Sequence, residues 1–163
     1  DLLLEKVKNI ELLEFHYAGP ENNIIDTLAL KVGIEKNVHT YGNISRNEAI
    51  DLNYNSKLLV VATWNDKEHV GVLPGKFFES LLFKKPLIIL VNGKIDKSEI
   101  VEITKDFNLG VSYEAINDEI DYYKLKAFLK EQLSNFLDLS KDCQSKVDKF
   151  EYQNITCEYE KLL

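Results

Sequence analysis

The segment Gly71 to Val91, GVLPGKFFESLLFKKPLIILV, holds the residue types whose spacing carries the most chemistry. A glycine-containing loop leads into Pro74-Gly75-Lys76, and Glu79 follows one helical turn later. Lys76 and Glu79, three apart, share a helix face, with the ammonium nearer the positive end of the helix dipole. Free N–H groups at such a helix start suit a phosphate, and a lysine there adds a full charge. A carboxylate one turn in repels phosphate but can accept two hydrogen bonds from sugar hydroxyls. Ribose plus diphosphate is the ligand this arrangement suits. A Walker P-loop does not fit: three residues, not four, separate Gly71 from Gly75, and Phe77 stands where Ser or Thr should hold magnesium. The same Lys76–Glu79 pair also reads as an ordinary solvated ion pair on a surface helix, and these residues alone leave both readings open.

The elements around this segment are those of an α/β protein with a mainly parallel sheet. Short apolar runs predict five strands: Leu12 to Ala18, Asn37 to Tyr41, Lys57 to Thr63, Pro86 to Val91 and Leu109 to Tyr113. Between them, helical spacing links Ile25, Leu28 and Val32, then Phe78, Leu81 and Leu82, then Ile100, Ile103 and Phe107, each set expected to face a sheet. A longer helix from about Asp121 to Leu139 carries Tyr122, Leu125, Leu129, Leu133 and Phe136. Ser45-Arg46-Asn47-Glu48 is a capping box that opens a helix after the Gly42-Asn43 turn. Pro74 and Lys85-Pro86 bound a helix over about Gly75 to Lys84. The stretch Ser140 to Lys149 reads as a polar linker before a terminal amphipathic segment ending at Leu163.

Composition sets the outer limits. With 163 residues, 45% hydrophobic and 29% charged, the chain is expected to form one globular domain. At that length folding buries roughly 70% of the extended chain's surface. No apolar run approaches the roughly 20 residues of a spanning helix. Its net charge of -7, with 19 Lys and only Arg46 among its 20 basic residues, argues against a nucleic-acid partner. Cys143 and Cys157 lack metal-ligand spacing and are expected to be reduced. The triplets Asn43-Ile44-Ser45 and Asn154-Ile155-Thr156 are read as chance glycosylation matches. A chain with no Met is expected to be a piece of a longer polypeptide.

The string GVLPGKFFESLLFKKPLIIL resembles the signature of the donor-binding C-terminal domain of retaining GT-B fold glycosyltransferases of the family 4, or group 1, type. HYAGPENN (16–23), NVHTYGNISRNEAIDL (37–52) and KLLVVATW (57–64) resemble other family segments, in order, so the likeness runs from Leu2 to Leu139. It implies a Rossmann-like doubly wound parallel sheet flanked by helices, with 1–163 a single nucleotide-sugar-binding domain, 140–163 its linker and terminal helix, and the acceptor domain absent. Glu79 would hold the ribose hydroxyls. Backbone amides of Gly71, Val72 and Leu73, with the helix start at Gly75 and Lys76, would face the donor's phosphates or sugar. The turn at Gly42, Asn43 and Ile44 would lie near the base.

Two departures stand out. Many family members carry a second, sugar-contacting glutamate where this chain has Gly71; Glu68 and His69 lie nearby and could substitute for it only through a rearranged loop. The family's first strand, central in a doubly wound sheet, and its basic phosphate loop have no counterpart here. The resemblance implies transfer from a nucleotide diphosphate sugar, most simply a UDP-sugar, to a glycan or lipid-linked acceptor in bacterial polysaccharide synthesis. It implies no cofactor or metal, in keeping with the lack of a DxD motif, and a cytoplasmic protein whose parent can sit peripherally at the inner face of the membrane. The isolated piece is expected to bind nucleotide without turnover.

The rival readings are a non-catalytic α/β nucleotide-binding or scaffold module and a GT-B nucleotide-sugar epimerase. His16 and His39 are expected to be core or edge residues with no acidic neighbour at ligand spacing. Trp64 is expected to be a strand-end packing residue whose position also permits contact with a base or sugar, the segment Tyr113 to Ile116 follows the last strand where it can line the cleft, and Asn117 to Asp121 is read as a solvated loop and helix cap.

Overall fold

The computed structural model describes residues 13–67 and 71–134, so Glu68, His69, Cys143, Cys157 and the proposed linker and terminal helix lie outside the described residues. All five expected strands are present, in two parallel sheets, and the fold is of the Rossmann-like α/β class with helices flanking those sheets. The chain divides into two compact units, 1–56 and 57–163.

In the first unit, β1 (Phe15–Tyr17) pairs with β2 (Val38–Thr40) in the register Phe15↔Val38, His16↔His39, Tyr17↔Thr40. Helix α1 (Asn22–Val32) connects them and ends on Gly33 in the left-handed conformation. Its inward stripe is Ile25, Ala29 and Val32, with Ala29 buried and Leu28 half exposed, so the expected Leu28 is replaced by the small residue one position on. Thr40 Oγ1 donates to Asp26 Oδ1 at 3.0 Å and ties α1 to β2. Helix α2 (Arg46–Asn55) begins with the full capping box, Ser45 N–H to Glu48 Oε2 at 2.8 Å and Glu48 N–H to Ser45 Oγ at 3.3 Å.

In the second unit, β3 (Leu59–Asn65), β4 (Leu87–Gly93) and β5 (Gly110–Glu114) form a parallel sheet in that order. The central β4 carries Leu87, Ile88, Ile89 and Val91, all buried, as a strand covered on both faces requires. One face packs on α3 (Gly75–Leu81) and α4 (Glu99–Asp106) through Leu59, Val61, Phe77, Leu81, Leu87, Ile89 and Ile100. The other packs on α5 (Asp118–Ser134) through Ile88, Val111, Leu125 and Leu129.

Helix α3 buries Phe77 and Leu81, whereas Phe78 is 39% and Leu82 70% exposed, which corrects the expected Phe78, Leu81, Leu82 face. Two consecutive phenylalanines leave the helix phase ambiguous, and Phe77 with Leu81, at i and i+4, is the pair that meets the sheet. The helix stops at Leu81, with Lys84 left-handed before Pro86, so the expected end at Lys84 is a turn rather than helix. At the start of β5, Gly110 has φ 148°, and a Cβ there would sit 2.0 Å from the Leu87 carbonyl oxygen, so only glycine allows this closeness to β4.

The join between β5 and α4 is a buried polar network. Glu114, 3% exposed, accepts from Ser98 N–H and Ser98 Oγ, both at 2.9 Å, and from Lys97 N–H at 3.1 Å, placing a carboxylate at the start of α4. Asp121 Oδ2 in turn accepts from Glu114 N–H at 3.0 Å while Oδ1 pairs with Lys124 at 2.6 Å. Asp121 is thus buried rather than part of a solvated acidic loop, because the β5 backbone donor needs its carboxylate. Among the described residues no helix is long and apolar enough to cross a membrane.

Candidate functional site

Open parallel α/β sheets bind ligands outside the carboxyl ends of their strands, and the second unit has a concavity there. Ala62, Leu90 and Tyr113 are in register across the three strands, as are Trp64 and Asn92. These residues, with Thr63, Val91 and Ala115, line an open hollow of about 280 Å³, mostly apolar, on the sheet face that α5 covers further back. Trp64 is 61% exposed. Alternation along β3 turns Val60, Ala62 and Trp64 outward and buries Leu59, Val61, Thr63 and Asn65. The hollow is large enough for one aromatic base or one sugar ring, and Trp64 offers either a flat face.

Tyr113 is anchored in this wall by a hydrogen bond. Its hydroxyl donates to Asp118 Oδ1 at 2.5 Å, and this bond, with burial and the nearby charges of Asp118 and Asp121, pushes the phenol up to about 12. It is therefore a neutral phenol throughout the physiological range. Behind the wall, Asn65 is buried, its Nδ2 donating to the Ile95 carbonyl at 2.9 Å, while its Oδ1 has no hydrogen-bond partner.

The sequence-derived residues occupy other positions. Gly71, with φ 72°, forms the turn before α3, and an ideal Cβ on it would lie 3.6 Å from Glu99 Oε2. Val72 is 47% exposed, and Leu73 packs on the α3–α4 core. Gly75 is the first residue of α3, after Pro74 in extended conformation, with no side chain capping the helix start. Lys76 Nζ lies 2.9 Å from Glu79 Oε2, and these side chains are 81% and 59% exposed. The expected shared face of Lys76 and Glu79 is thus present, as an exposed ion pair. None of Gly71, Val72, Leu73, Gly75, Lys76 and Glu79 lines the Trp64 hollow. Gly42, Asn43 and Ile44 belong to the first unit, where Gly42 at φ 70° turns the chain from β2 toward the α2 cap and its carbonyl accepts from Gly19 N–H at 2.8 Å.

Two features escaped the sequence reading. Glu114 falls in the Tyr113 to Ile116 segment placed where it can line the cleft; it instead ends β5 and organises the start of α4 from a position 16 residues away in sequence from Ser98. The expectation that His16 and His39 lack an acidic neighbour fails, because Glu14 and His16 project to the same side of one strand line and the parallel register sets His39 beside them. Alternation by two within a strand was the available signal; the pairing of β1 with β2 was not.

No family model matches the chain, and no curated protein matches it. Among solved structures, that of WaaG, a glycosyltransferase involved in lipopolysaccharide biosynthesis, is similar with a TM-score of 0.46 and 14% identity over 85% of this chain. This chain spans 38% of the WaaG chain's length.

Proposed function

We propose that the chain is the donor-binding half of a GT-B glycosyltransferase that uses a nucleotide diphosphate sugar. The reading rests on one observation above the rest: the Gly71-to-Glu79 string occupies a strand–loop–helix unit, with Gly71 in a left-handed turn and Gly75 opening α3 after β3 of a parallel sheet. The sequence resemblance needs this setting for its motif. In it, Glu79 accepts the two ribose hydroxyls, exchanging its exposed bond with Lys76 for them, and Lys76 is released toward the diphosphate. The backbone N–H groups of Gly71, Val72, Leu73 and Gly75 and the Lys76 ammonium stabilise the leaving diphosphate electrostatically. Glu99, whose carboxylate stands by the Gly71 turn, supplies an acceptor near the position where relatives of this type carry their second glutamate. The donor is a UDP-sugar, transfer retains the anomeric configuration without a metal, and the acceptor is a glycan or lipid-linked glycan bound by another domain.

A second reading is a scaffold module that binds no donor, favoured by the closed Lys76–Glu79 pair. Isothermal titration of the full chain with UDP, GDP and ADP separates the two. The donor reading expects one nucleoside diphosphate to bind and Glu79→Ala to weaken it at least about tenfold, the loss of a charged acceptor for two hydroxyls. Absence of binding by all three supports the scaffold, and binding with unchanged affinity in Glu79→Ala overturns the ribose role of Glu79.

A further inference from the structure

The first unit holds a group of side chains that the donor reading does not use. His16 and His39 sit opposite each other in the β1–β2 register, their rings stacked at 4.8 Å between centroids with 24° between planes. Glu14, two residues before His16, places Oε2 3.4 Å from His16 Nε2. One ligand atom from each of Glu14, His16 and His39 lies within 4.8 Å of the others. On the opposite face of β2, Thr40 engages α1 through Asp26. The histidine face is therefore the one turned away from that helix, and the Glu14 and His16 side chains are 62% and 30% exposed, open to an ion from solvent.

We infer that Glu14, His16 and His39 form a binding site for a zinc-class divalent cation. Two imidazoles and one carboxylate are a donor set for borderline metals, not for magnesium or calcium, which take oxygen ligands. Three protein ligands of this kind leave a coordination position for water or a ligand oxygen. The fourth residue, Tyr41, supplies what such sites need beyond their ligands. Its hydroxyl lies 2.8 Å from His16 Nδ1 and its ring stacks on the imidazole at 5.9 Å. With Nδ1–H donated to Tyr41, the His16 Nε2 lone pair faces Glu14 and is free for metal, the outer hydrogen bond fixing tautomer and ring orientation.

Zn–N and Zn–O bonds of about 2.0–2.2 Å put tetrahedral ligand atoms about 3.3 Å apart. The His16–Glu14 pair already meets that at 3.4 Å. The widest separation, 4.8 Å, closes by about 1.5 Å through rotation of partly exposed rings. The site shares no residue with Gly71 to Glu79, so it stands or falls independently of the donor reading.

The test uses the full chain carrying Cys143→Ser and Cys157→Ser, which removes thiolates as competing ligands. Zinc is titrated calorimetrically, and the imidazole nitrogens are followed by NMR with and without zinc. The expected result is one zinc per chain, with the His16 and His39 resonances shifted. Glu14→Gln, His16→Ala and His39→Ala should each weaken binding by at least about tenfold, Tyr41→Phe should weaken it less, and His69→Ala should leave it unchanged. The NMR arm needs no variant, so a misfolded substitution does not leave the question open. Absence of stoichiometric zinc, zinc that leaves both imidazoles unshifted, or binding lost only in His69→Ala overturns the site; the stack is then only a packing contact with a Glu14–His16 ion pair.

Discussion

The two units share one architecture, parallel strands joined by helices, and differ in how they are held. The second unit seals β4 between α3 and α4 on one face and α5 on the other, with Phe77, Leu87 and Ile89 fully buried. Among the described residues of the first, Ala29 alone is a buried apolar side chain, while Phe15, Ile24, Leu28 and Leu30 are between 42% and 68% exposed. The two three-residue strands among its described residues are too little sheet for independent stability. The first unit is instead organised by local devices: the Ser45–Glu48 box, the Thr40–Asp26 bond and the His16–His39–Tyr41 stack. Among the described residues, apolar burial defines one unit and polar contacts the other, so the same class of substitution should act unequally on them.

The sharpest way to break this contrast is to truncate one apolar side chain in each. Phe77→Ala should cost about 3–5 kcal/mol in urea unfolding, as a fully buried ring does, whereas Leu28→Ala, at a half-exposed position, should cost under about 0.5 kcal/mol. Equal losses would mean that the first unit hides a core of comparable weight.

Ser45→Ala comes next and probes the local devices. It should cost about 1 kcal/mol of α2 stability, read as faster hydrogen exchange in α2 with the β4 amides unaffected. The hydrogen bonds from Ser45 hold the Glu48 carboxyl below its ordinary range. The box therefore contributes fully above the unfolded carboxyl pKa and is lost as pH falls through the lower folded value. Protection of the α2 amides, taken relative to their intrinsic exchange rates, should fall in acid for that reason, and should lose this acid dependence in Glu48→Gln.

The smallest effect lies in the wall of the Trp64 hollow. With its phenol raised to about 12 by Asp118, Tyr113 favours the folded state fully below pH 10 and loses that contribution as pH rises through 12. Asp118→Asn should return its titration, followed by carbon NMR of the ring, toward 10. A Tyr113 that titrates normally with Asp118 intact would mean a wall without this fixed phenol.

What could be read from the sequence follows the same division. Strands buried on both faces advertise themselves as continuous apolar runs, and PLIILV needed no structure to be recognised. The capping box is equally local. The face of α3 was not legible, because adjacent Phe77 and Phe78 fit either phase and only contact with Leu59, Val61 and Ile89 decides between them. Of the candidate site, the Lys76–Glu79 relation is a matter of helical spacing and was visible. Long-range neighbours were not: Glu114 reaches Ser98 across β5 and α4, and His39 reaches His16 through strand register, neither of which sequence distance encodes.

The donor-binding claim is tested most directly by an amide and indole NMR titration of the full chain with UDP. The account predicts saturable shifts at the Gly71, Gly75 and Lys76 amides and at the Glu79 amide, all lost in Glu79→Ala while the rest of the spectrum is preserved. Saturation with shifts confined to other residues, or no shift at all, would contradict it.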